Sequence, residues 1–282
     1  MFGYQPLTTA GTNHWIAKNV PAVKDEPFMN SITNYITKFE FDILDINIPG
    51  YFRAYTSSWD AVCKFLYDHE YYGQALQGAL YLNDEAKEIE QKFSTPEEKI
   101  KAAFEKVKSV KWDENESLFT SSNSMSYVYK KQIGNSSDIN FILIQLLRKL
   151  DFEADPVIMS TRENGILSPI YPSLNKLNHT IARVKLDGEY ILLDATEKYY
   201  PYNLLPEKCL NWQGRIMFPS LKSQWVSLEP SGKHKSTTSY EVTLDENMVF
   251  TGKIKTNMPS MPDMNSVPIF IRITARKNMR RI

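Results

Sequence analysis

GNSSDINFILIQLLRKL, Gly134 to Leu150, is the stretch from which the fold is read. A short polar turn, Gly134-Asn135-Ser136, runs straight into an apolar segment. Ile139, Ile142, Leu143, Leu146, Leu147 and Leu150 recur at three- and four-residue spacing, which predicts a helix with one face in the core. The helix begins at or near Ser136. Its first backbone N–H groups lack partners inside the helix, and the dipole makes that end positive. A nucleophile there has its anionic form favoured, and a developing oxyanion finds donors. Ser136 is therefore a candidate nucleophile; the plainer alternative is that it only caps a buried helix.

Downstream, LNHTIARVKLDGEYILLDAT holds His179, an Asp187-Gly188 turn and Asp194. Asp-Gly between runs rich in β-branched and aromatic residues predicts a hairpin. His179 then lies on one strand and Asp194 at the end of the next, within cross-strand reach. Ser136, His179 and Asp194 are the residue types of a nucleophile, its base and the group that orients the base.

Gly134-Asn135-Ser136-Ser137-Asp138 resembles the G-x-C-x-[D/E] nucleophile turn of transglutaminase-like domains. Asn178-His179, Asp187-Gly188 and Leu193-Asp194-Ala195-Thr196 are similar to that family's strand pair. The resemblance spans residues 49–232. Val20 to Phe28 and Asp155 to Arg162 resemble the bacterial subgroup in which this domain sits between β-domains of unknown function. The resemblance implies an α+β fold with a transglutaminase-like or papain-like core, helices packed on an antiparallel sheet. It implies partial β-domain flanks: residues 1–48 close a preceding β-domain, and residues 233–282 begin a following one and end in a basic tail. It implies a periplasmic or extracellular setting, although Met1 to Ala10 does not read as a signal peptide. The chain is accordingly expected to be an interior piece of a longer exported protein, or to have a displaced start.

The family's nucleophile is a cysteine, and Ser136 stands in its place. A thiol starts near pKa ~8.5, and a helix N-terminus with a histidine can make it a thiolate at neutral pH. A serine hydroxyl is far less acidic, and helix-end effects of about 1 kcal/mol shift it by less than about one unit. Serine needs His179 as a true general base and a formed oxyanion hole, to which the Ser136 N–H would contribute. The expectation is a degenerate, non-catalytic domain that binds a peptide or cell-envelope ligand or acts as a scaffold. The alternative is an acyl-transfer hydrolase, a peptidase or amidase, using Ser136, His179 and Asp194. Neither reading calls for a cofactor or a metal.

The remaining text constrains less. The chain has 282 residues, 42% of them hydrophobic, with Lys+Arg and Asp+Glu both at 33. A balanced charge gives no global field for nucleic acid. No apolar run is long enough to cross a membrane. The two cysteines, Cys63 and Cys209, lack metal-ligand spacing. Cys63 falls on an apolar helix stripe; Cys209 lies in a loop and is a secondary candidate nucleophile. Ser57-Ser58 and Thr95-Pro96-Glu97-Glu98 predict helix starts, the latter as a capping box. Residues 31–43 alternate as a strand, Arg162 to Lys176 reads as a loop rimming the site, and Thr237 to Lys255 as a hairpin.

Overall fold

The computed structural model describes residues 19, 21–27, 29–36, 38, 40–122, 124–230, 237–244, 250–257 and 269–273. Val20 and Phe28, the linker 232–236 and the basic tail beyond 273 lie outside the described residues.

Two short strands, β1 (Asp45–Ile48) and β2 (Tyr51–Ala54), pair antiparallel. The alternation over 31–43 does not make a strand: a 3-10 turn at Ile32–Asn34 is followed by irregular chain, largely exposed. Alternation alone does not make a strand, which needs a ladder of backbone bonds to a neighbour.

Helix α1 (Trp59–Asp68) starts where Ser58 accepts a hydrogen bond from the Ala61 N–H. Helix α2 is Asn83–Lys92. Helix α3 (Pro96–Val107) opens on the expected capping box, Thr95 with Glu98, and buries Ile100, Ala103, Phe104 and Val107. A two-residue strand, β3 (Lys111–Trp112), pairs parallel with β4 (Ile133–Gly134) across helix α4 (Met125–Lys131).

The central helix, α5, is Ser136–Lys149. Its N-cap is Asn135, which forms a capping box with Asp138; Ser136 is the first helical residue. Every residue from Ser136 to Leu147 is buried, polar positions included. The expected single apolar face is thus an underestimate. Helices α2, α3 and α4 and the main sheet pack around it, and each interior polar group has a partner: Gln145, for example, donates to the Ala75 and Gln77 carbonyls at 2.7 and 2.9 Å.

Beneath α5 lies an antiparallel sheet in the order β7-β6-β5-β8-β9, with β5 Ala154–Met159, β6 His179–Leu186, β7 Glu189–Leu193, β8 Gln213–Met217 and β9 Ser223–Ser227. The Asp187-Gly188 turn joins β6 and β7 with positive φ at both residues, +50° and +90°, as a two-residue hairpin requires. A smaller antiparallel sheet holds β10 (Thr237–Leu244), β11 (Phe250–Asn257) and β12 (Ile269–Ile273). The architecture is α+β: helices on an antiparallel sheet, with the main core between α5, its neighbouring helices and the sheet. No helix among the described residues is long and apolar enough to cross a membrane.

Candidate functional site

The start of α5 meets the start of β6 and the end of β7. Ser136, His179 and Asp194 are all fully buried. Asp194 lies one step past the Ala182–Leu193 pair, which sets it diagonal to His179 on the same face of the hairpin. The His179 Nε2–H donates to Asp194 Oδ2 at 3.0 Å. Asn140, one turn along α5 from Ser136, fixes this pair. Its amide donates to Asp194 Oδ1 at 2.9 Å and to the Thr180 carbonyl at 2.8 Å, and its oxygen accepts from the Ala195 N–H at 2.9 Å.

The structure brings the three expected residues to one place but does not join Ser136 to His179. Three consecutive residues, Asn115-Glu116-Ser117, stand between the groups. The Ser136 N–H, expected to serve an oxyanion hole, donates to the Asn115 carbonyl at 3.1 Å. The Ser136 hydroxyl accepts from the Ser117 N–H at 2.9 Å and donates to the Ser117 carbonyl at 3.2 Å. Ser137 donates to that same carbonyl at 2.6 Å. The His179 Nδ1–H donates to Glu116 Oε2. The strap thus satisfies the Ser136 N–H, the Ser136 hydroxyl and the His179 Nδ1.

Charge completes the closure. Burial works against the imidazolium of His179, yet the charge of Asp194, with Cys209 beside it, holds its pKa well above the ordinary histidine value. Burial would raise Asp194, but the imidazolium outweighs it and holds the carboxyl far below its usual range. Burial likewise opposes Glu116, whose pKa is nonetheless lowered by His179 and Lys208. Lys208 lies 2.9 Å from Glu116 and 3.3 Å from Glu197, over the face of Trp112 at 3.7 Å. His179 thus lies between two carboxylates that favour its charged form, and Glu116 holds its Nδ1. A histidine whose charged form is favoured in this way is a poorer general base.

Cys209 is in the site, on a 3-10 turn at Glu207–Cys209. Its thiol donates to Asp194 Oδ2 at 3.1 Å. Burial, then the charge of Asp194, pushes its pKa up to about 12, so it is not a thiolate nucleophile at neutral pH. Cys63 is buried elsewhere, its sulfur against the Lys222 carbonyl at 3.2 Å, and both cysteines are free.

Glu116 and Asn140 are not among the residues expected from sequence. Asn140 leaves a faint signal, an amide within an apolar helix one turn from Ser136. Glu116 lies in a loop of mixed acids, Asp113 to Glu116, with nothing local to mark its partner. The expected rim, 162–176, borders a surface depression of about 390 Å³ lined by Lys38, Glu40, Asp42, Asn164, Asn175 and Lys176.

No family model and no curated protein matches the chain. The chain is similar to a crystal structure of a "putative protease" from Parabacteroides distasonis ATCC 8503, with a TM-score of 0.44 and 8% identity. The match covers 71% of this chain and 50% of that one, so the chain spans about half the length of the solved protein. What the molecule itself defines is an α+β protein with a buried serine, histidine and aspartate closed by a strap.

Proposed function

We propose that residues 49–232 are a transglutaminase-like domain without acyl-transfer activity, serving as a peptide- or cell-envelope-binding or scaffold module between β-domains of a longer exported protein. One observation carries the reading: Asn115, Glu116 and Ser117 satisfy, respectively, the Ser136 N–H, the His179 Nδ1 and the Ser136 hydroxyl. Attack by Ser136 would first require breaking its bonds to Ser117 and deprotonating a histidine whose charge two carboxylates stabilise. The polar depression at the 162–176 loop, bearing both signs of charge, is the surface this reading assigns to a ligand.

A second reading has its own support. The His179–Asp194 bond and its Asn140 brace keep the orientation that a Ser-His-Asp hydrolase needs. Fluorophosphonate labelling of folded wild-type protein, read by mass spectrometry with Ser136→Ala as control, separates the two. The non-catalytic reading expects no adduct at Ser136. A single adduct there, absent from the control, would establish an activated serine and the hydrolase reading.

A further inference from the structure

The cluster holds a set of donors that neither reading takes together, because Cys209 has no part in either. His179, Asp194 and Cys209 are fully buried and offer one nitrogen, one oxygen and one sulfur ligand atom, all within 4.8 Å of one another. Zinc lies roughly 2.0 to 2.3 Å from such atoms, which puts ligand atoms about 3 to 4 Å apart. Here Nε2–Oδ2 is 3.0 Å, Sγ–Oδ2 is 3.1 Å, and the third edge is no longer than 4.8 Å.

The surrounding bonds have the pattern that orients metal ligands. A ligating histidine characteristically donates its other ring N–H to a carboxylate, and a ligating carboxylate is itself hydrogen-bonded. The His179 Nδ1–H goes to Glu116. Asp194 Oδ1, the oxygen left over, accepts from Asn140 at 2.9 Å and from the Thr196 N–H at 3.0 Å. Both ligand groups are therefore held from behind while Nε2, Oδ2 and Sγ converge.

We propose that His179 Nε2, Asp194 Oδ2 and Cys209 Sγ bind a divalent transition metal of the zinc class, stapling the 207–209 turn to the β6–β7 hairpin. The mixed nitrogen, oxygen and thiolate set suits zinc over calcium or magnesium. On binding, the Nε2–H proton and the Cys209 S–H proton leave to solvent, and both atoms donate a lone pair to the ion. Two protons exchange for one dication, so the buried cluster keeps its net charge. Three protein ligands leave a fourth tetrahedral position for a water. Full burial means that the ion enters while the chain folds. The proposal does not rest on an inert Ser136: metal content and serine labelling are read separately.

The test is refolding of the full chain in Co²⁺, which reports its ligands by colour, together with Zn²⁺ refolding, desalting and elemental analysis. We expect about one equivalent of zinc. The cobalt form should show visible bands of four-coordinate geometry and a near-ultraviolet thiolate-to-cobalt band. That band should survive Cys63→Ala and vanish in Cys209→Ser. Wild-type protein that refolds but retains no metal above background overturns the proposal. So does a thiolate band lost in a Cys63→Ala protein that still refolds. Both of those outcomes are read without relying on the folding of Cys209→Ser.

Discussion

Glu116 is the residue on which the closed site turns. Its two oxygens divide the work: one accepts from His179, the other pairs with Lys208. Replacing it by glutamine keeps the shape and removes the charge. A buried cation left without its partner costs about 3 to 5 kcal/mol where both groups are dry. The Glu116 side chain is 23% exposed, and glutamine can still accept a hydrogen bond. We therefore expect Glu116→Gln to lower stability by roughly 1 to 3 kcal/mol, read from the urea midpoint at unchanged slope. A loss within error would show that Lys208 and His179 find compensation elsewhere.

At the scale of elements, local signals reached as far as local physics governs. The α3 capping box, the Ser58 cap and the Asp187-Gly188 hairpin are written in adjacent residues and form as expected. Helix α5 was legible from its repeat, and the hairpin placed His179 and Asp194 close together. What the repeat cannot display is that α5 is enclosed on every side, because Asp138, Asn140 and Gln145 look like a solvated face until their partners are known. Helix α4 was hidden in a stretch rich in serine and asparagine, with no apolar repeat to mark it. The described residues of 31–43 show the converse, an alternating pattern that is not a strand. The strap was illegible for the same reason. Asn115, Glu116 and Ser117 acquire meaning only through contacts with residues 19 to 63 positions away.

For the molecule as a whole, the buried ion network ties stability to pH in two directions. His179 has its folded pKa raised above the ~6.5 of free imidazole. Its contribution is complete below that value and fades as pH rises through the folded value. Glu116 and Asp194 are lowered, so their contributions hold above the ordinary carboxylate range and are lost as pH falls toward their folded values. In metal-free protein kept so with chelator, the stability deficit of His179→Gln should be widest near pH 6. It should narrow toward alkaline pH. Thermal melts of both proteins across the pH range check this; a deficit that grows with pH would mean that His179 is buried neutral.

The strap also bears on what a change at position 136 can do. The resemblance implies a sulfur nucleophile at the position of Ser136, but a sulfur there would not by itself free the groups that the strap holds. The larger atom would enter a fully buried slot facing the Ser117 backbone, with its histidine still held by Glu116. Ser136→Cys should therefore resist iodoacetamide in the folded protein, and adding Glu116→Gly should not restore labelling, because what Asn115 and Ser117 present to residue 136 are backbone N–H and C=O groups that no substitution removes. Because the three blocks are neighbours in sequence, a movement of that one loop would lift them together. Only a displacement of the loop itself, and no one-residue change, would open Ser136 to a reagent.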